Sequence, residues 1–333
     1  MSIVYISENG LKLGVESNQL TIKDENRVLQ KIGMETVSGI TLLGKSQLTT
    51  QCVERCLKDG IPVTYMSKGG TYFGRMMSTG HVKVGLQRRQ AELYHTSFAV
   101  ELSKRIIAAK IQNQVTVLRR YARNRDVDVS KQIEEIMRYK KKVDGCGEIS
   151  QILGYEGGVA RRYFQGLSTC INEEFRFKGR SRRPPKDEFN SLISMGYAIL
   201  LNEIYCEIEG CGLHPYFGFM HQDAEKHPTL ASDLMEEWRA VLIDSLAMSL
   251  INGKTLKKED FREDAESKGC FLEWSARKIF LSKLEERFSV KMNYLSYLKT
   301  EVTFREAMSK QIEQLARAIE EGDATLYEPV RIR

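Results

Sequence analysis

The sequence predicts an α+β protein, with a small N-terminal β-sandwich-like domain (residues 1–85) followed by a larger all-α domain (residues 86–333). Two observations predict it. Short β-rich runs separated by turn residues fill the N-terminal part. After about residue 90, apolar residues recur at helical spacing almost to the end. A length of 333 residues accommodates two domains, and 42% hydrophobic content with six prolines describes a folded chain.

The expected strands are Ser2–Ile6, Leu11–Val15, Gln19–Lys23, Val28–Ile32, Gly39–Leu43, Pro62–Ser67 and Thr71–Met76. Asn9-Gly10, Asp24 to Asn26, Gly33 and Gly69-Gly70 punctuate them. One helix interrupts the series. Ser46 is its expected cap, Leu48, Cys52, Val53, Cys56 and Leu57 its apolar face, and Gly60 its end. This part lacks a cluster of ionisable residues, so it reads as an interaction or scaffold module. The boundary falls around Gly80–Leu86.

Helical stretches follow at Gln90–Ala122, Val129–Val143, Glu156–Glu174, Glu188–Glu207, Ser232–Ile251, Lys258–Glu266, Cys270–Phe288 and Tyr297–Glu321. The first carries Ile106, Ile107, Ile111, Val115 and Leu118 at helical spacing, with Lys104, Arg105, Lys110, Arg119 and Arg120 among them. The chemistry should lie in this helical part.

The chain starts without a basic region followed by an apolar one, so no signal peptide is expected. The longest apolar run, from Ala240, is broken by Asp244, which argues against a membrane span and for a cytoplasmic protein. Seven cysteines at irregular spacing argue against a disulfide framework, and neither Cys52/Cys56 nor Cys206/Cys211 has zinc-ribbon spacing. A net charge of +6 is compatible with a nucleic-acid partner without establishing one.

Three places could supply a metal site. The first is Glu156, followed by Gly157-Gly158, where the missing side chains let a backbone or phosphate approach. The structural alternative is an acid favouring a helix N-terminus. The second is a run holding three of the five histidines: His214, His221 and His227. His214 and His227 precede proline and so lie in extended or turn backbone, while His221 follows apolar Gly218-Phe219-Met220. The third is Ser232 to Glu237. Ser232 is a plausible N-cap, with Asp233, Glu236 and Glu237 on one helix side and Leu234, Trp238, Val241, Leu242 and Ser245 opposite. Imidazole with carboxylates suits Mn²⁺ or Mg²⁺ better than zinc. A fourth element is basic: Arg176, Lys178, Arg180, Arg182, Arg183 and Lys186 place six positive charges in eleven residues, stiffened by Pro184-Pro185. Its structural alternative is a solvated loop tip.

Taken together, four ordered motifs resemble the CRISPR-associated integrase family, the first-numbered of the Cas proteins. They are Tyr155-Glu156-Gly157 with Ala160-Arg161 and Tyr163-Phe164; Gly179 to Asp187; Gly212-Leu213-His214-Pro215 with Gly218-Phe219 and His221; and Ser232-Asp233-Leu234-Met235-Glu236 with Arg239. Gly60 to Ser67 and Lys110 to Gln114 extend the resemblance over essentially the whole chain. Ala240 stands where the family often has proline.

The resemblance implies an N-terminal β-domain, an α-helical catalytic domain, and homodimers that join a small second Cas protein. It implies Glu156, His221 and Glu236 as ligands of Mn²⁺ or Mg²⁺, with Asp233 a further acidic residue near the metal, and leaves His214 and His227 structural roles. The implied reaction inserts short double-stranded foreign DNA fragments into a CRISPR repeat array, with the fragment's 3′-hydroxyl as nucleophile. Arg161, Arg162 and the 176–186 loop would neutralise phosphates. A stand-alone metal-dependent nuclease for branched DNA is one alternative, because the nucleophile belongs to the substrate. A non-catalytic DNA-binding scaffold is the other.

Overall fold

A computed structural model describes residues 2–25, 27–67, 72–80 and 82–332. Asn26, Gly69, Gly70 and Thr71, expected in turns or at a strand start, lie outside these residues. The chain divides into two units, Met1–Val82 and Lys83–Arg333. The first is β-rich and the second largely helical, the α+β class that the sequence predicts.

The first unit contains two four-stranded sheets. One orders β1 (Ser2–Ile6), β5 (Val37–Leu43), β7 (Val63–Met66) and β8 (Tyr72–Met76). The other orders β4 (Arg27–Gly33), β3 (Gln19–Asp24), β2 (Leu11–Glu16) and the two-residue β6 (Gln47–Leu48). Alternate residues of both sheets, among them Leu11, Leu13, Leu20, Ile22, Ile40, Leu42 and Val63, join Cys52 and Cys56 in one apolar core. Those two cysteines come from α1 (Thr50–Lys58). The parallel neighbours β5 and β7 need a long connection, and α1 lies within it. The helix cap is Thr49, not Ser46: Thr49 accepts from the Cys52 amide, while the Ser46 hydroxyl donates to the Glu8 carbonyl. Pairing of Gln47 and Leu48 with β2 delays the helix by those residues.

The second unit contains α2 (Val84–Glu92), α3 (Ser97–Arg125), α4 (Ser130–Asp144), α5 (Ile149–Cys170), α6 (Glu188–Gly210), α7 (Thr229–Trp238), α8 (Ser245–Asn252), α9 (Trp274–Ser289) and α10 (Phe304–Glu321). The 29-residue α3 packs against α4, α5 and α7. Its apolar periodicity is continuous, with Ile106, Ile107, Ile111, Val115 and Leu118 fully buried.

Several boundaries differ from the sequence expectation. The helix expected from Gln90 is two helices, because Thr96 caps α3 by accepting from the Phe98 amide. The helix expected from Glu156 begins at Ile149, so Glu156 lies in its third turn and its placement is not explained by a helix N-terminus. Ser232 is not an N-cap: α7 begins at Thr229, and Ser232 is buried inside it. The helix expected over Ser232–Ile251 is interrupted by a wide, π-helical turn at Arg239–Asp244, which contains Ala240. Lys258–Glu266 is not an α-helix: only Lys258–Asp260 form a short 3₁₀ turn. It leads into a hairpin of β9 (Phe261–Glu263) and β10 (Cys270–Leu272), where Phe261 packs edge-on to Phe175 and the Cys270 amide donates to Pro185 O. The final helix begins at Phe304 rather than Tyr297, fixed by a Thr303/Glu306 capping box.

All seven cysteines are free. Among the described residues no helix is long and apolar enough to cross a membrane.

Candidate active site

The site is assembled where α3, α5 and α7 meet. Asp233 organises one side of it. Its side chain is fully buried, and it accepts from the amides of Phe219 (2.7 Å), Met220 (3.0 Å) and His221 (3.0 Å). The same carboxylate lies 2.6 Å from His221 Nδ1. A carboxylate acceptor there requires Nδ1 to carry the proton, which leaves the Nε2 lone pair free when the ring is neutral. Glycine at 218 makes this possible, because a Cβ would stand 2.8 Å from Asp233 Oδ2 and from the Thr229 backbone. Burial works against protonation of His221, but its bond to Asp233 and the charges of Asp233 and Glu236 outweigh it and raise the ring's pKa.

Nε2 of His221 lies 3.8 Å from Glu236 Oε1. Arg239, one turn along, forms an ion pair with the same oxygen at 2.9 Å. Glu236 Oε2 is 2.5 Å from the Lys110 ammonium of α3, which also contacts Glu156 of α5. Burial would raise the pKa of Glu236, yet Arg239, Lys110 and His221 bring it below the usual carboxylate value. Burial likewise works to lower the Lys110 pKa, and the two carboxylates reverse the effect. Thus Glu156 and Glu236, from two helices, share the Lys110 ammonium, and His221 stands beside the other oxygen of Glu236. The neighbouring Glu237 points elsewhere. It accepts from Gln311 (2.8 Å), Tyr327 (2.7 Å) and the Val330 amide (2.6 Å), and burial pushes its pKa up to about 8.

Whether a divalent ion suits this donor set can be judged from the cluster itself. Among the described residues no three His, Cys, Asp and Glu side chains already form a cage for an ion. The carboxylates of Glu156 and Glu236 nevertheless converge on one cation, the Lys110 ammonium, and Glu236 Oε2 is buried without a hydrogen-bond partner of good geometry. Two oxygen donors around a cationic centre, with an imidazole nitrogen beside them, suit Mn²⁺ or Mg²⁺.

The other histidines have separate partners. His214 stacks on Phe217 with ring centroids 4.1 Å apart, and its backbone is clasped by Gln90. His227 Nε2 lies 3.2 Å from the Ser232 hydroxyl, with its ring 6.2 Å from that of His221.

The basic residues divide into two groups. Arg161, Lys178, Arg182 and Arg183 are exposed. Arg162 pairs with Glu135, Arg176 with Glu173, and Lys186 donates to the Lys268 carbonyl at 3.2 Å. Arg180 is an internal brace, donating to Asn190 Oδ1 and Ser194 Oγ and lying over the Tyr197 ring. The loop is therefore partly a structural clamp on the β9–β10 hairpin.

Lys110 and Arg239 were not singled out as site residues from sequence. The signal for Lys110 is a lysine among Ile106, Ile107 and Ile111, on a helix stripe that is otherwise apolar. A charge there needs a buried partner.

The family model for CRISPR associated protein Cas1 matches residues 4–286. The chain belongs to the Cas1 family. The CRISPR-associated endonuclease Cas1 of Mycobacterium tuberculosis is 33% identical over 322 residues, covering 96% of this chain and 94% of that protein. A Cas1 endonuclease of Archaeoglobus fulgidus is 31% identical over 307 residues, 86% of this chain and 88% of that one. A Cas1 structure from Thermotoga maritima shares the fold with a TM-score of 0.81 at 24% identity, covering 97% of this chain and 98% of that one. A chain of a Cas6-RT-Cas1–Cas2 complex gives a TM-score of 0.84 at 26% identity. That match spans 98% of this Cas1 chain and 36% of the larger one.

Proposed function

We propose that this Cas1 chain is a metal-dependent DNA integrase and endonuclease that inserts short DNA fragments into a CRISPR array by 3′-hydroxyl transesterification. The observation that carries the reading is the convergence of Glu156 and Glu236 on a single buried cation, Lys110, with His221 Nε2 3.8 Å from the other oxygen of Glu236. The names of the relatives as Cas1 endonucleases support it.

Glu156, Glu236 and Nε2 of His221 would hold Mn²⁺ or Mg²⁺. When bound, the ion supplies Lewis-acid polarisation of a phosphate oxygen. The remaining work belongs to the chain. Asp233 holds His221 in the Nδ1–H tautomer and fixes the Phe219–His221 backbone. Arg239 keeps Glu236 ionised and turned into the site. The exposed Arg161, Lys178, Arg182 and Arg183 offer phosphate contacts to double-stranded DNA, both fragment and repeat. The attacking 3′-oxygen forms a new phosphoester bond, the 3′-oxygen of the cut strand leaves, and one proton passes from the first oxygen to the second. With water in place of the 3′-hydroxyl, the same site cleaves DNA.

The partners in this reading are a second copy of the chain, with the N-terminal unit as scaffold, and the small second Cas protein. A structural relative solved in a Cas1–Cas2 complex supports the latter.

The test is a strand-transfer assay with labelled short duplex, repeat-bearing plasmid and Mn²⁺, with and without the small Cas partner. His221→Ala should reduce joining by about 100-fold or more while DNA binding persists. Equal joining by the variant would remove His221 from the ligand set. Nicking without joining by the wild type would favour the nuclease reading.

A further inference from the structure

Lys110 is set among the fully buried Ile106, Ile107 and Ile111 of α3, with 5% of its side chain exposed. Its ammonium touches Glu156 of α5 and Glu236 of α7. Neither side is comfortable alone. An ammonium in this interior carries a desolvation cost of several kcal/mol, and two carboxylates sharing one contact atom repel strongly without a cation between them.

Arg239 differs from Lys110. It reaches Glu236 Oε1 at 2.9 Å and is anchored with its guanidinium 5.0 Å from the Tyr197 ring centre. Arg239 neutralises one carboxylate, whereas Lys110 ties two helices together. A divalent ion shared by Glu156 and Glu236 has to take the place between them, and that place is held by Lys110. Glu236 Oε2 lacks a well-aligned hydrogen bond, so its link to Lys110 is chiefly one of charge.

We propose that Lys110 is a built-in placeholder cation. It keeps Glu156 and Glu236 together in the metal-free protein, and it must leave them for a divalent ion to bind. It thereby sets the affinity of the metal site as a positioning residue. The inference rests on Glu156, His221 and Glu236 being the metal ligands. Binding is then an exchange of a tethered single charge for a free double charge, and the site stays assembled before any metal arrives.

The experiment uses the full chain, titrated with Mn²⁺ calorimetrically and melted with and without Mn²⁺. Lys110→Met should lower the metal-free melting temperature, recover it on adding Mn²⁺, and bind Mn²⁺ about tenfold tighter or more than wild type. Adding Glu156→Gln to Lys110→Met should restore the metal-free melting temperature by removing the repulsion. If Lys110→Met does not fold, Lys110→Gln carries the same comparison. Equal or weaker Mn²⁺ binding by a folded Lys110 variant overturns the placeholder role while leaving the metal site standing. Absence of Mn²⁺ binding by both wild type and variant overturns the metal-site reading and the placeholder role with it.

Discussion

Asp233 shows how one side chain can set the state of another. Its two oxygens accept three backbone amides and face His221 Nδ1, so the loop before α7 and the imidazole share one anchor. Asp233→Asn is expected to weaken Mn²⁺ binding by about 10- to 100-fold, the range typical of partners that orient a metal-binding histidine. Calorimetric titration checks this, and unchanged affinity would leave Asp233 with only its backbone role. The raised pKa of His221 gives a second expectation. A proton and a metal compete for Nε2, so Mn²⁺ affinity should fall as pH falls through the folded pKa, which lies above the ordinary 6.5. Titrations from about pH 8 down to about pH 6 measure it, and His221→Ala should flatten the profile. From sequence, His221 stood among three histidines, and the resemblance singled it out. The contact that gives it a defined tautomer spans 12 residues and is visible only in three dimensions.

At the scale of the element, α7 and the turn after it depart most from expectation. An amphipathic helix with a polar face was expected, but every residue of α7 is buried. Its carboxylates find partners on all sides: Asp233 the preceding loop, Glu236 the α3 lysine, Glu237 the C-terminal segment. Periodicity cannot distinguish a polar face in water from one matched by buried partners. Past Arg239 the chain widens into the π-helical turn that ends at Asp244, whose carboxylate accepts from Tyr163 (3.0 Å) and Tyr197 (2.5 Å). Burial pushes the Asp244 pKa up to about 6, against the pull of those hydroxyls. A raised carboxyl pKa stabilises the fold below the unfolded value, and that contribution is lost as pH rises through about 6. Between about pH 4 and pH 6.5, melting temperature should therefore show a downward component worth on the order of 2–3 kcal/mol, absent in Asp244→Asn. Packing of the same turn gives a further expectation. Gly196 of α6 faces Ile243, and a Cβ there would stand 2.5 Å from Ile243 Cγ2. Gly196→Ala should cost about 1–3 kcal/mol in denaturant unfolding, unless Ile243 can turn away.

For the molecule as a whole, every group of the candidate site comes from the second unit, Lys83–Arg333. That unit expressed alone is expected to fold and to bind Mn²⁺ with wild-type affinity, measured by calorimetry. Loss of binding in a folded fragment would show that the N-terminal unit supports the site. The C-terminal segment is part of the same assembly, because Asn113 of α3 bonds to Glu237 O, Val330 O and the Ile332 amide. Deleting residues 327–333 should strip Glu237 of two of its donors and lower stability by about 3–5 kcal/mol. By itself the sequence determined the α+β class, the expected strands of the first unit, and most helices of the second. These follow from apolar periods of two and 3.6 and from turn residues, which are local properties. The resemblance in its motifs also pointed to Glu156, His221 and Glu236. Tertiary structure decided which way each carboxylate faces. It placed Lys110 between Glu156 and Glu236, Arg239 on Glu236, and the chain's C-terminal segment on Glu237. The physical reason is that a buried charge must be matched by another charge or a donor, and for Glu156 and Glu237 the partner that folding supplies lies 46 and 93 residues away.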